Sequence, residues 1–192
     1  MLGDLWSFQG RYRTLHLTWI AFFLTFVVWF NLAPLATTVK ADLGLTVGQI
    51  RTVAICNVAL TIPARVLIGM LLDKFGPRIT YSSILVFSAI PCLLFASAQD
   101  FNQLVVARLL LSIVGAGFVI GIRMVAEWFP PKEIGLAEGI YGGWGNFGSA
   151  FSALTMVAFA GFLSFSGGFE LPSGAVLNWR GAIALTGIVS AF

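Results

Sequence analysis

The sequence predicts an all-α protein whose helices cross a membrane several times. Hydrophobic residues make up 58% of the 192 residues and charged residues only 10%. The mean hydropathy is +0.93, which lies far outside the range of soluble domains. Stretches of about 20 mostly apolar residues, the length of a membrane-spanning helix, also recur along the chain. The net charge of +3 is small and dispersed, so the composition does not indicate binding to nucleic acid.

Five apolar stretches are long enough to span a bilayer, and a sixth is not. The complete stretches lie near residues 16–37, 50–72, 79–98, 103–126 and 134–162. The sixth covers residues 180–192 and is too short to cross comfortably. We therefore expect a cytoplasmic N-terminal segment at residues 1–15, followed by a helix bundle at 16–192 whose sixth helix is truncated.

Lysine and arginine residues predict the orientation of this bundle, because they are enriched in cytoplasmic loops. With the N-terminus inside, the cytoplasmic side holds Arg11, Arg13, Lys74, Arg78 and Lys132. The other side holds Lys40, Arg51 and Arg180. The bias is modest, and it places the N-terminus in the cytoplasm.

Arg65 is the most costly residue in the predicted second helix. It lies eight positions before Asp73, roughly 12 Å from the inner end of the helix. An arginine at that depth costs about 2.5 to 3.5 kcal/mol and normally faces a protein interior or a watery cavity. One role is an ion pair, although the acids nearest in depth, Glu127 and Glu138, lie closer to helix ends. The other role is binding of a planar anion, which suits the planar guanidinium.

Polar and small residues continue from Arg65 along one face of the second helix. Asn57, Thr61 and Gly69 occupy successive fourth positions with it. Pro63 can open the helix backbone nearby. A stripe of this kind can line a transport path.

The predicted fourth helix carries two arginines and one phenylalanine of interest. Arg108 and Arg123 lie within a few turns of a helix end, so we expect both to reach water or headgroups. Phe118 lies mid-helix in the small-residue run GAGF, at about the depth of Arg65. Spacing alone leaves open whether Phe118 is a core or lipid contact or a functional residue.

Small residues recur every four positions in the predicted fifth helix, where residues 135–150 read GLAEGIYGGWGNFGSA. Gly135, Gly139 and Gly143 begin this stripe, and Asn146 continues it. Such stripes let membrane helices approach closely, because little hydrophobic force acts between helices in lipid. Two roles are open: packing alone, or clearing space beside a ligand that Asn146 helps to hold.

A tight turn is predicted between helices two and three, where residues 69–78 read GMLLDKFGPR. Gly76 and Pro77 stop the second helix there. Asp73 stands at a helix C-terminus, where a carboxylate opposes the helix dipole. We therefore expect Asp73 to have an external partner, such as an arginine or the N-terminus of another helix. Such a contact can act as a latch.

The sequence contains no catalytic or metal-binding constellation. His16 is the one histidine, and the predicted membrane core holds no carboxylate pair, metal cluster or nucleophile beside a base. Cys56 and Cys92 lie inside apolar runs without a metal-binding spacing, so we expect packing roles and no disulfide. We expect no enzyme activity, no cofactor and no metal.

Several stretches resemble a known family. GMLLDKFGPR resembles the signature loop between helices two and three of the major facilitator superfamily. GIYGGWGNFGSA looks like the nitrate signature of its nitrate/nitrite porter family. ARVLIGMLLDKFGPR, and GAGF ahead of EWFPP, are similar to the second and fourth helices of that family. The chain as a whole resembles the N-terminal six-helix half of a nitrate permease.

This resemblance implies roles for individual residues. It implies that Arg65 contacts nitrate, that Phe118 stacks on the anion, and that Asn146 lies in the adjoining signature helix. The glycines implied to pack the signature helix are Gly139, Gly143, Gly145 and Gly148. The residues implied to form a gate loop are Gly69, Asp73, Lys74, Gly76 and Arg78. A second half with another substrate arginine would complete the site.

We therefore expect a multi-pass protein of the plasma membrane, the cell inner membrane, that performs secondary active transport of nitrate by alternating access. Nitrite is a further candidate substrate, and the partners are the anion, the lipid bilayer and the missing C-terminal half. One alternative is a transporter of another small anion, such as a carboxylate. Another is a non-transporting sensor or assembly subunit, which would leave Arg65 without a role. Proton symport and nitrite exchange both stay open, because this half has no Asp or Glu at mid-depth.

Overall fold

The structure, a computed structural model, describes residues 7–174 and 176–192. The predicted N-terminal segment 1–15 therefore lies partly outside the described residues, at residues 1–6. Its last residues belong to the first helix, which begins at Gly10.

Eight α-helices make up most of the described chain. They are α1 (Gly10–Phe30), α2 (Ala36–Asp42), α3 (Val47–Ala59), α4 (Thr61–Ser97), α5 (Phe101–Ser112), α6 (Gly117–Trp128), α7 (Pro131–Phe162) and α8 (Trp179–Ala191). Short 3₁₀ segments cover Ala33–Leu35, Ile113–Ala116 and Leu163–Ser166. Before α8, strand β1 (Phe169–Glu170) pairs antiparallel with β2 (Val176–Leu177).

The predicted all-α membrane fold class is confirmed. Four helical segments of the described chain are long and apolar enough to cross a membrane. They are Gly10–Asp42, Val47–Ser97, Phe101–Trp128 and Pro131–Ser166. The second is long enough to contain two spans, because 51 residues of helix would extend about 75 Å without a turn.

Gly76 supplies the turn within that segment. Its φ of 77° and ψ of 166° interrupt α4 between Phe75 and Pro77. A positive φ is strained for residues with a side chain, so glycine suits this position. The Thr80 hydroxyl then donates to the Gly76 carbonyl over 2.8 Å and supports the start of the second part of the helix.

Two further breaks interrupt the helices near the middle of the bundle. Leu60 separates α3 from α4, and the 3₁₀ segment Ile113–Ala116 separates α5 from α6. Proline explains the first break, because Pro63 has no N–H and the Ala59 carbonyl loses its usual partner four residues ahead. Hydropathy does not reveal either break, since the residues around both are apolar.

The core is organised by close packing of α1 against α7. Phe22 of α1 and Tyr141 of α7 are both buried, and their rings stack with centroids 4.8 Å apart. A Cβ atom at Gly145 would overlap the Phe22 ring, and one at Gly148 would overlap the carbonyl of Phe23. The two glycines therefore allow the backbones of α1 and α7 to approach.

The second part of α4 packs against α8. The hydroxyl oxygens of Ser88 and Ser190 lie 2.6 Å apart across this contact. A Cβ atom at Gly187 would collide with Cys92, so the two helices also approach closely. Cys92 is a free, buried thiol, as is Cys56 on α3.

Candidate functional site

The structure brings together Arg65 of α4 and Phe118 of α6. The guanidinium carbon of Arg65 lies 5.9 Å from the centroid of the Phe118 ring. Arg65 is exposed and Phe118 is half-buried. Among the described residues Arg65 forms no hydrogen bond and no ion pair, and its one specific contact is with the Phe118 ring. The N–H donors of this guanidinium are therefore available to a ligand.

Tyr141 holds Phe118 in place. The Tyr141 hydroxyl donates to the Phe118 carbonyl over 3.0 Å. The two rings are nearly parallel, with centroids 6.2 Å apart, and Phe22 contacts the Phe118 ring at 5.5 Å. Gly121 makes room for this arrangement, because a Cβ atom there would overlap the Tyr141 ring. The face of Phe118 next to Arg65 is thus fixed by packing.

The pair is suited chemically to a small planar anion. A guanidinium offers parallel N–H groups that can donate two hydrogen bonds to one planar oxyanion. An aromatic face beside it provides a flat apolar wall against which a planar ligand can stack. No carboxylate of the described chain neutralises Arg65, so the local field favours negative charge.

The polar stripe proposed along the second helix is wrong as a transport path. Asn57 is buried, and its amide donates to the Trp29 carbonyl over 2.9 Å while the Trp29 indole donates to the Asn57 carbonyl over 2.7 Å. Thr61 is also buried and donates to the Ser112 carbonyl over 3.2 Å. Both side chains join helices, and of the charged and polar members only Arg65 is exposed.

The expectation that Arg108 reaches water is also wrong. Arg108 is only 1% exposed. It donates to the Asn31 side-chain oxygen over 3.0 Å, and its guanidinium carbon lies 5.0 Å from the Phe95 ring centroid. The amide of Asn31 in turn donates to the Thr186 hydroxyl over 2.9 Å. Arg108 is close to a helix end but points between α1 and α4, so depth alone did not determine its surroundings.

Asp73 has an arginine as its partner. The Arg123 guanidinium lies 3.1 Å from the Asp73 carboxylate and 2.6 Å from that of Glu127. The first contact joins α4 to α6, and the second lies within α6. Arg123 and Asp73 are largely exposed, with side-chain exposures of 52% and 69%. This arrangement matches the expected arginine partner for a carboxylate at a helix C-terminus.

The other residues assigned to the gate loop lie within a few positions of Asp73 along the chain. Gly76 forms the turn described above, and Gly69 has open space where a Cβ atom would lie. The Lys74 ammonium lies 5.2 Å from the Phe75 ring centroid. Arg78 is exposed at the start of the second part of α4. A gating role for these residues stays a prediction.

Asn146 lies on an exposed face of α7. Its amide donates to the Gly142 carbonyl of its own helix over 2.7 Å, and none of its described hydrogen bonds reaches Arg65 or Phe118. Its side-chain oxygen has no partner among the described hydrogen bonds. A substrate-binding role for Asn146 stays a prediction.

The four signature glycines divide between two faces of α7. Gly145 and Gly148 meet α1, as described above. At Gly139 and Gly143, no atom of a neighbouring helix lies within 4 Å of the place that a Cβ atom would occupy. The fourfold repeat in the sequence therefore marks an open face, and the helix contact formed in this structure lies on the neighbouring face. A packing role for Gly139 and Gly143 stays a prediction.

Sequence reasoning missed two residues that support the Arg65–Phe118 pair. Tyr141 fixes Phe118, and it lies within the stretch already noted for its glycines. Ser112 contacts the break between α3 and α4. A serine in the apolar run before GAGF gives no signal of its own, because small residues are common at membrane helix contacts.

Comparison with known proteins identifies relatives of the chain. The family model of the Major Facilitator Superfamily matches residues 18–192. The nitrate/nitrite transporter NrtP of Picosynechococcus sp. is 63% identical over 205 aligned positions, which cover 100% of this chain and 38% of the relative. NrtP of Nostoc punctiforme is 62% identical, with coverage of 100% and 37%.

A more distant relative is the probable nitrate/nitrite antiporter NarK1 of Thermus thermophilus. It is 34% identical over 143 positions, covering 73% of this chain and 31% of the relative. The chain thus spans less than two fifths of the length of these curated relatives.

Proposed function

Because the chain belongs to the major facilitator superfamily, as its sequence motifs implied, we propose that the protein takes part in secondary active transport of nitrate by alternating access, with nitrite as a second substrate. The observation that carries this proposal is the unpaired guanidinium of Arg65 beside the Phe118 ring. The names of the relatives, which are transporters of nitrate and nitrite, support the same substrate class. Transport rather than catalysis is the activity that we propose.

In this proposal Arg65 and Phe118 form one wall of the substrate site. Arg65 donates hydrogen bonds to the anion, and Phe118 stacks on its planar face. Placing an arginine at this depth costs about 2.5 to 3.5 kcal/mol. A bound anion, or a water-filled cavity that admits it, would offset that cost.

We further propose that a second helix bundle supplies the opposite wall. Substrate sites of such transporters lie near mid-depth between two repeats that rock about them. The greater length of the relatives supports a second bundle. In this arrangement the open face of α7, with Gly139, Gly143 and Asn146, would meet it beside the substrate. The Asp73–Arg123 ion pair would belong to the gate that forms and opens during the cycle.

We also propose the orientation and the membrane. The cations Arg11, Arg13, Lys74, Arg78 and Lys132 fall at one end of the predicted topology, and cytoplasmic loops are enriched in such residues. The N-terminus is therefore proposed to be cytoplasmic, with the protein in the plasma membrane, the cell inner membrane.

The test uses a chimaera in which residues 1–192 are followed by the C-terminal remainder of the Picosynechococcus relative. Uptake of labelled nitrate is measured in cells that lack their own nitrate transporters, with unlabelled nitrite, formate and acetate as competitors. We expect saturable nitrate uptake that nitrite inhibits and that formate and acetate leave unchanged. Uptake should be lost with Arg65→Ala and retained with Arg51→Ala, which removes an exposed arginine elsewhere.

Other results would favour the alternatives. Stronger inhibition by formate or acetate than by nitrite would indicate a transporter of carboxylates. A chimaera that reaches the membrane and transports none of these anions would indicate a sensor or an assembly subunit.

A further inference from the structure

The two helices that carry Arg65 and Phe118 are both interrupted close to these residues. Leu60, at the break between α3 and α4, precedes Arg65 by about one and a half helical turns. The 3₁₀ segment Ile113–Ala116 ends just before Phe118. At such interruptions some backbone N–H and C=O groups lack the partner that a regular helix would supply. The groups at the first interruption lie next to those at the second.

Ser112 joins the two interruptions. Its hydroxyl accepts a hydrogen bond from the backbone N–H of Leu60 over 3.2 Å. Its carbonyl accepts a second one from the Thr61 hydroxyl, also over 3.2 Å. The Ser112 hydroxyl itself donates to the Leu109 carbonyl over 2.7 Å. Ser112 is completely buried, and its bond with the Thr61 hydroxyl is buried as well.

Trp29 of α1 also contacts both interruptions. Its indole donates to the Asn57 carbonyl in the last turn of α3. Its ring also lies against Gly115 in the 3₁₀ segment, so closely that a Cβ atom at Gly115 would meet it at 2.7 Å. The two interruptions are therefore held together by Ser112 and by a rigid aromatic side chain.

We propose that Ser112 is a positioning residue, which sets the separation of Arg65 and Phe118 by fixing the two helix breaks to each other. This inference rests on the proposed function, since it assigns a role at the same anion site. Ser112 does not touch the substrate. It acts through the backbone of Leu60 and the side chain of Thr61, which precede Arg65 on the same helix. An anion held between a guanidinium and a ring depends on their spacing, so a small shift at the junction changes affinity.

The physical alternative is that Ser112 only stabilises the bundle. A hydrogen-bonding group that loses its partner lowers stability wherever it lies in the bundle, so a lower amount of folded protein would not separate the two roles. The Michaelis constant for nitrate does separate them, because it is measured on the transporter that has folded. The Leu60 N–H also points to the Val58 carbonyl, so amide hydrogen exchange at Leu60 reports on the bond to Ser112 through the difference between Ser112→Ala and the parent.

The test compares four variants of the chimaera. Ser112→Ala removes the hydroxyl that accepts from Leu60, and Thr61→Val removes the donor to the Ser112 carbonyl with little change of shape. Thr61→Ser keeps that donor and is the matched control. Ser152→Ala is a second control, because Ser152 is buried on α7 and its hydroxyl has no hydrogen-bond partner in the described chain.

We expect Ser112→Ala and Thr61→Val each to raise the Michaelis constant for nitrate about fivefold, the effect of losing one ordinary hydrogen bond. Both control variants should stay within about twofold of the parent. Ser112→Ala should also accelerate hydrogen exchange at Leu60. In a Phe118→Leu background Ser112→Ala should raise the Michaelis constant much less, because coupled residues are not additive.

Two outcomes overturn the inference in distinguishable ways. If Arg65→Ala abolishes uptake while Ser112→Ala and Thr61→Val leave the Michaelis constant unchanged, the site stands and the positioning role is wrong. If Arg65→Ala transports nitrate normally, the anion site at Arg65 is wrong and this inference fails with it, whereas a parent chimaera that transports no nitrate contradicts the proposed function itself. Should Ser112→Ala not fold, Thr61→Val against Thr61→Ser decides the question alone.

Discussion

The guanidinium of Arg65 lies over the ring of Phe118, 5.9 Å from its centroid, although the two residues belong to different helices. The distance is at the outer limit of a cation–π contact. Arg65 has no other specific contact in the described chain, whereas Phe118 is fixed by Tyr141 and Phe22. The ring therefore provides a rigid wall, and the arginine keeps its donors available.

Phe118→Leu should weaken nitrate binding without unfolding the protein. Leucine keeps apolar volume at a half-buried position and removes the aromatic face. We expect the Michaelis constant for nitrate to rise about fivefold, since the cation–π contact by which Phe118 positions the Arg65 guanidinium contributes about 1 kcal/mol. The measurement is initial uptake rate against nitrate concentration in the chimaera. Phe165→Leu is the matched control, because Phe165 is 80% exposed in the segment after α7. An equal effect of both substitutions would contradict a specific role for Phe118.

Asn146→Ala should also weaken affinity and leave abundance near normal. The side chain is exposed and bonds only to its own helix in the described chain, so its loss costs little stability. We expect a raised Michaelis constant with an unchanged amount of protein in the membrane. If abundance falls and the remaining protein has the parent's affinity, Asn146 serves packing instead.

Substitutions of the α7 glycines should change the amount of folded protein differently on the two faces of the helix. Gly148→Ala places a Cβ atom against the backbone carbonyl of Phe23, which cannot move aside without shifting α1. We expect it to lower the amount of folded protein strongly. Gly143→Ala places a Cβ atom in open space and should be tolerated in abundance. The amounts of folded chimaera are compared by fluorescence-detected size-exclusion chromatography. Equal losses for both variants would contradict the assigned contact face.

Gly143→Leu tests what meets the open face of α7. In the proposed transporter this face meets the second bundle, so a bulky side chain should abolish uptake in protein that still folds. Normal uptake by Gly143→Leu would show that the open face of α7 meets nothing during transport.

Asp73→Asn should slow turnover more than it weakens binding. The ion pair with Arg123 is largely exposed, and such pairs contribute about 1 kcal/mol or less to stability. Asp73 is also about 12 Å from Arg65 along the helix. We expect equilibrium nitrate binding near that of the parent, with a lower maximal uptake rate. The exchanged pair Asp73→Arg with Arg123→Asp should recover part of that rate.

The control for this ion pair is Glu127→Gln. It removes the other carboxylate that contacts Arg123 and leaves the contact between α4 and α6. A large loss of affinity with normal turnover in Asp73→Asn would contradict a gating role.

Depth and cost singled out Arg65, whereas the resemblance to the nitrate/nitrite porter family, and not spacing, implied that Phe118 lies beside it, and the two side chains do meet in the structure. The helix dipole likewise predicted a partner for Asp73, and Arg123 is that partner. Depth along a helix can be calculated from the sequence, since each residue advances the chain by a fixed distance.

The direction that a side chain faces is harder to predict from the sequence. Arg108 lies near a helix end but faces the interior, where Asn31 and the Phe95 ring surround it. Asn57 and Thr61 occupy the same stripe as Arg65, yet both are buried and bond to neighbouring helices. Pro63 indicates the first break, whereas hydropathy and spacing do not contain the contacts of Ser112 that join the two breaks.

The proposed anion site depends most directly on the guanidinium of Arg65, and Arg65→Lys tests the geometry of that group. Lysine keeps the positive charge and loses the planar pair of N–H donors that can hold a planar anion. Labelled nitrate uptake is measured in the chimaera at matched amounts of membrane protein, beside Arg51→Lys as the equivalent change at an exposed arginine. We expect Arg65→Lys to reduce uptake to near background while Arg51→Lys retains it. Uptake by Arg65→Lys with the Michaelis constant and maximal rate of the parent would contradict the anion site.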